Sequence, residues 1–112
     1  MRVIMAKLIL SPLARADMRE IGDHISRELR NSDAALRMIR RFQDTMTPLR
    51  EFPEMGSPLL MAGKQSAPYR FLVCGSHLIF YHIGGEAVYI DRVLYGRRDY
   101  LALLFGDKLE EE

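Results

Sequence analysis

The stretch Tyr69 to Tyr100, YRFLVCGSHLIFYHIGGEAVYIDRVLYGRRDY, constrains the fold most. It divides into three runs rich in β-branched and aromatic residues, which suit a pleated, packed surface. Gly75-Ser76 and Gly84-Gly85 separate the runs. Such pairs make tight hairpin turns, because glycine tolerates positive φ without a Cβ clash. The pattern predicts consecutive antiparallel strands at about Tyr69–Cys74, His77–Ile83 and Glu86–Tyr95.

Alternation along these strands is weak. Leu78, Phe80 and His82 fall on one parity of the second, and Ile79, Tyr81 and Ile83 on the other. In the third, Val88, Ile90 and Leu94 oppose Ala87, Tyr89, Val93 and Tyr95. A sheet wetted on one side alternates apolar and polar residues. This one is apolar on both sides, so both faces need a cover.

The preceding chain supplies one. Lys7–Leu10, with Val3 and Ile4 before it, reads as a first strand, and residues 1–5 as an extension. Ser11-Pro12 opens a helix, serine as N-cap and proline where its missing N–H is not needed. Ala14, Met18, Ile21, Ile25 and Leu29 form its apolar stripe. A second helix starts at Asn31 or Ser32 and carries Ala35, Ile39, Phe42, Met46 and Leu49. Pro48 either kinks it or stops it at Thr47, with Thr47 capping a new turn. The short connection implies an antiparallel helical hairpin. Phe52 to Pro68, with three prolines and two glycines, reads as one long loop. Gly96 ends the last strand, Arg97–Phe105 has helical composition, and residues 106–112 form an acidic, frayed tail.

The order is β-α-α-β-β-β with a short C-terminal helix. This is an α+β fold, an antiparallel sheet packed on a helical hairpin. The hairpin covers one face of the sheet. An apolar second face would be a sticky patch, and such patches mark interaction sites.

At 112 residues the chain reads as a single domain. Its formal charge is +1, and the part up to Gly106 carries 15 basic and 11 acidic residues, or +4. That is short of a nucleic-acid footprint. Cys74 is the sole cysteine, so no internal disulfide or thiolate metal cluster forms, which fits a reduced, cytoplasmic compartment. Met1–Leu10 is too short for a signal peptide, and no apolar run reaches the ~18 residues of a membrane span. No membrane association is expected. His77 and His82 are an odd number of residues apart in one strand and point to opposite faces, against a shared metal. With His24 they read as structural. No helix follows Gly84-Gly85, so it is no phosphate cradle. The serines lie in no nucleophile elbow. No cofactor or metal is expected.

The arginines carry the remaining signal. Arg92 interrupts an apolar strand, so it must snorkel, pair with an acid, or face a polar partner. Arg70 is a similar case. Arg97 and Arg98 follow Gly96 and can hold phosphate or an acidic partner bidentately, or form a solvated surface with Asp99.

SPLARADMREIGDHI, FPEMGSP (Phe52–Pro58), LIFYHI (Leu78–Ile83) and VLYGRRDY (Val93–Tyr100), in this order and spacing, resemble the ParE branch of the RelE/ParE toxin superfamily. The resemblance covers about Lys7 to Leu104. It implies a toxin of a type II toxin–antitoxin system with the fold deduced above. It also implies a ParD-like antitoxin whose C-terminal segment wraps the toxin and supplies the second cover. A ribbon-helix-helix part of that antitoxin would bind operator DNA, which the toxin meets only through it. ParE-like members resemble inhibitors of DNA gyrase that act by binding. RelE-like members resemble ribosome-dependent endoribonucleases, whose pattern asks for basic residues near Arg70, Leu72, Leu78 and Arg98 and a tyrosine near Leu104. Here Leu72, Leu78 and Leu104 depart from it. The favoured expectation is gyrase inhibition, with contact to target or antitoxin through Arg70, Arg92, Tyr95, Arg97, Arg98 and Tyr100. The alternatives are an endoribonuclease using Arg70 and Arg98, and an inactive antitoxin-binding paralogue.

Overall fold

The computed structural model describes residues 5–61 and 64–96. Strand β1 (Lys7–Leu10) leads into helices α1 (Pro12–Leu29) and α2 (Ser32–Met46) and a 3-10 turn (Thr47–Arg50). Then come β2 (Ser57–Met61), β3 (Lys64–Cys74), β4 (His77–Gly84) and β5 (Ala87–Tyr95). The sheet order is β1-β5-β4-β3-β2. Neighbours from β2 to β5 run antiparallel, and β1 runs parallel to β5. The fold is α+β, a helical hairpin on a five-stranded sheet, as expected from the sequence.

Two details differ. The sheet is mixed, because β1 joins β5 in parallel. The segment read as a loop contains β2 and the first part of β3. Pro58 disguised β2, but β2 is an edge strand, where a sheet accommodates proline. The expected helix at Arg97–Phe105, the tail, residues 1–4, and Arg97, Arg98 and Tyr100 lie outside the described residues.

Local chemistry sets the element ends. Ser11 Oγ accepts the Ala14 N–H at 3.0 Å, with Pro12 in the first helical turn. Asn31 Oδ1 accepts the Ala34 N–H at 3.2 Å and caps α2. Pro48 acts as a stop: α2 ends at Met46, and Pro48 sits early in the 3-10 turn. Thr47 belongs to that turn and does not cap it; its hydroxyl donates to Gln43 O at 2.7 Å. Gly75 (φ 61°) and Gly85 (φ 60°) each take the first central position of a two-residue turn, as in a type II′ turn. The second turn is thus Gly85-Glu86, one residue later than the sequence suggested.

A bulge reorganises β5. Phe80 pairs with Arg92 and Tyr81 with Ile90, so Asp91 is the extra residue. An extra residue shifts the parity of everything after it. Val88, Ile90 and then Val93 join Ala14, Met18, Phe42, Met46, Leu49, Ile79 and Tyr81 in the core beneath the helices. Leu94 instead joins Leu59 and Phe80 in a cluster on the other face, with Tyr69, Phe71 and Leu78 against it. This corrects the grouping of Leu94 with Val88 and Ile90. It also corrects the expectation that the second face lies bare, since Leu59, Phe80 and Leu94 are buried.

β1 ends at Leu10, and α1 takes over the edge of β5 from there. The Ser11 N–H donates to Ile90 O at 2.9 Å, and Ser11 Oγ to Asp91 O at 2.9 Å. Asp17 Oδ2 accepts the Val93 N–H at 2.9 Å and Arg92 Nε at 2.8 Å, while Asp17 Oδ1 accepts the second Arg92 nitrogen at 2.9 Å. Removing one partner of a buried pair leaves an uncompensated charge and costs about 3–5 kcal/mol. We therefore expect Asp17→Leu to lower the unfolding free energy by that order in urea titrations. Asp17→Leu with Arg92→Met should recover most of the loss. It should not recover all of it, because the Val93 N–H stays without its acceptor.

Candidate functional site

Two strand residues hold one loop. Arg70 and Tyr81 are cross-strand partners on β3 and β4. Tyr81 is fully buried beneath the segment that precedes β2. Its hydroxyl donates to Pro53 O at 2.7 Å and accepts the Gly56 N–H at 2.9 Å. Burial pushes the phenol above its ordinary pKa, so it stays protonated. Arg70 Nη1 donates to Gly56 O at 2.9 Å and to Glu54 O at 3.3 Å. The loop also folds on itself, with the Phe52 N–H on Pro48 O at 2.9 Å and the Met55 N–H on Phe52 O at 3.1 Å. Gly56 is sterically required. A Cβ there would lie 2.6 Å from Tyr81 Oη, 2.7 Å from Tyr81 Cε1 and 2.8 Å from Phe71 O. The loop is therefore rigid, and Arg70 positions it.

Arg92 takes the second of the options open to it and pairs with an acid, Asp17. The carboxylate also holds the guanidinium pKa above its already high value. Tyr95 is half-exposed at the end of β5. It lines a groove of about 480 Å³ with Glu20, Ile21, His24, Ile25 and His77. The His77 ring meets Phe42 edge-on at 5.3 Å and Tyr95 at 5.8 Å. Its Nδ1 is buried without a hydrogen-bond partner. Burial lowers its pKa, which keeps the ring neutral.

On the other face, His82 stacks on Tyr89 at 5.0 Å and meets Tyr69 edge-on at 6.2 Å. Its Nδ1 lies 2.7 Å from Asp91 Oδ2. Burial raises the Asp91 pKa, partly offset by that histidine. His77 and His82 do sit on opposite faces. The structure thus brings Arg70 to the loop and Arg92 to α1, and places Tyr95 in the groove that Asp17 also lines.

Asp17 and Tyr81 were missed in the sequence. Asp17 had a signal, since it lies on the apolar stripe of α1, three residues after Ala14 and four before Ile21. Tyr81 had none, because its partners lie 25 and 28 residues away along the chain.

The family of ParE toxins of type II toxin–antitoxin systems (parDE) matches residues 8–100. The chain belongs to this family. No curated protein matches it. Among solved structures, the ParE-family chain is similar to a chain of the chromosomal ParDE toxin–antitoxin system from P. aeruginosa. That match has TM-score 0.69 at 20% identity and covers 81% of this chain and 96% of that one. It is also similar to a chain of the RelBE2 toxin–antitoxin complex from Mycobacterium tuberculosis. There the TM-score is 0.51 at 20% identity, with 84% and 94% covered. A third similarity is to a chain of the E. coli DinJ-YafQ toxin-antitoxin complex, with TM-score 0.55 at 14% identity and 92% and 100% covered. At such identities these likenesses establish the shared fold. The FPEMGSP motif of the ParE-family chain is the clamped loop.

Tyr81→Phe leaves the Gly56 N–H and Pro53 C=O without their partner, a loss of about 1–3 kcal/mol in urea unfolding. Gly56→Ala should cost at least as much, by overpacking. Combining the two should not rescue the fold, since Phe71 O still obstructs the new Cβ.

His77 sets a pH dependence. Its folded pKa lies below its ordinary 6.5, so its contribution is present above that value and is lost as pH falls through the folded pKa. His77→Phe keeps the ring contacts and removes the buried nitrogen. The difference in urea midpoint between this variant and the wild type should widen from about pH 7 to about pH 5.

Proposed function

We propose that this toxin inhibits DNA gyrase by binding it, in the cytoplasm, and that a ParD-like antitoxin with a ribbon-helix-helix part neutralises it. The carrying observation is the condition of the residues that the ribonuclease branch requires. Metal-free RNA cleavage needs a group to activate the 2′-OH and cations to stabilise the developing phosphorane charge. Here Leu72 and Leu78 are apolar, and Arg70 is engaged with the Glu54 and Gly56 carbonyls. The absence of that equipment supports a toxin that acts by occupancy. The antitoxin reading is supported by the family and by the structural relatives, whose own descriptions name toxin–antitoxin systems.

Arg97, Arg98 and Tyr100, with Tyr95, remain the proposed contacts beyond the clamped loop. Arg98→Glu is expected to reduce toxicity, antitoxin affinity or both, and wild-type values for both would remove it from either surface. For the target, purified toxin should inhibit supercoiling or accumulate cleavage complexes with purified gyrase. Absence of either effect at large molar excess, with codon-periodic mRNA cuts after induction, would reassign the chain to the endoribonucleases.

A further inference from the structure

The loop Glu51–Met55 leaves two large apolar side chains in solvent, Phe52 at 60% and Met55 at 50% exposure. With Pro53 and Ile83 they line an open depression of about 610 Å³. Mobile loops often expose such residues without consequence, but this loop is fixed. Its backbone is held by the Tyr81 hydroxyl, the Arg70 guanidinium and its own turn. A rigid exposed aromatic loses little entropy when a partner covers it, which is the economy of an interface anchor. Glu51 and Glu54 lie beside the pair, are exposed, and form no ion pair among the described residues. The surface is thus apolar at its centre and acidic at its rim.

We propose that this loop is where the toxin grips its protein target, and that the target segment it fits carries an apolar side chain flanked by lysine or arginine. The complement follows from the rim. An apolar anchor fills the depression beside Phe52 and Met55, and cations meet the two carboxylates. A segment of the opposite sign is disfavoured here, because like charges across an interface oppose association. An acidic segment, of the kind that Arg97 and Arg98 can hold, would fit elsewhere. Arg70 acts on this surface as a positioning residue, through the loop carbonyls.

The proposal rests on the reading that the toxin works by binding, and the test separates the two. Two double variants alter only exposed side chains: Phe52→Ser with Met55→Ser, and Glu51→Lys with Glu54→Lys. Thermal unfolding checks their fold. Growth inhibition on induction, affinity for the cognate antitoxin, and supercoiling by purified gyrase are then measured. Both variants should need about tenfold more toxin for the same growth inhibition, the scale of one lost anchor. Antitoxin affinity should stay within about threefold of wild type. Tyr81→Phe, which loosens the loop without changing its surface, should fall between. Unchanged toxicity in both variants overturns the proposal, and so does antitoxin affinity that falls in parallel. If wild type leaves gyrase untouched while the variants still lose toxicity, the gyrase reading fails and the loop stands. If wild type and variants inhibit gyrase equally, the loop fails and the gyrase reading stands. A folded wild-type chain without toxicity overturns both.

Discussion

The Asp17 carboxylate joins the two layers of this fold. It leaves α1, accepts from two of the three nitrogens of the Arg92 guanidinium and accepts the Val93 N–H. That amide would otherwise lie on an unpaired edge, because β1 stops at Leu10 and pairs with β5 only as far as Ile90. Ser11 bonds to the Ile90 and Asp91 carbonyls, so one helix start finishes the ladder that β1 leaves incomplete. The pair is mostly buried, and burying charge is costly unless both partners are saturated. Here the carboxylate has three donors. The pair therefore contributes less net stability than register. It fixes where α1 lies along β5, and hence which residues of α1 meet the core.

The same logic recurs at the other end of the sheet. Tyr81 reaches through an apolar layer with a hydroxyl that must find partners, and it finds both in the loop backbone. Arg70, opposite it, adds a charged donor to the neighbouring carbonyls. Gly56 permits the close approach that both bonds need. The loop's conformation is thus set from the sheet as well as by its own turn and Gly56. An exposed segment with such support keeps one shape, and constancy of shape is what a binding surface requires.

Much of this was legible in the sequence. Ser11 declared the first helix start and Asn31 or Ser32 the second, the apolar stripe fixed the face of α2 and most of that of α1, whose Leu29 is instead 65% exposed, and the glycines declared the turns to within one residue. The motif resemblance gave the family. Those signals are local, within a few residues of the feature they predict. β2 escaped because an edge strand tolerates the proline that argues against a central one. The bulge at Asp91 escaped because register is a property of two strands, and so the face of Leu94 was misjudged. Arg70 and Arg92 stood out as arginines in apolar strands, offered as contacts to a target or antitoxin, and the structure engages both within the chain. Their partners, two backbone carbonyls and an aspartate 75 residues away, could not be read from the strands that carry them.

The missed strand also changes what a partner has to do. The sequence posed a sheet with one helical cover and a second face needing another. β2 contributes Leu59 to that second face, where it packs with Phe80 and Leu94, and all three are buried. The chain therefore supplies part of its own second cover. Val73, on the parity of Tyr69 and Phe71 but 64% exposed, shows that the cover does not extend along all of β3. A wrapping segment gains apolar burial from such uncovered positions, at ~25 cal/mol per Å², and not from the whole face. Its affinity then depends on fewer, better-placed anchors.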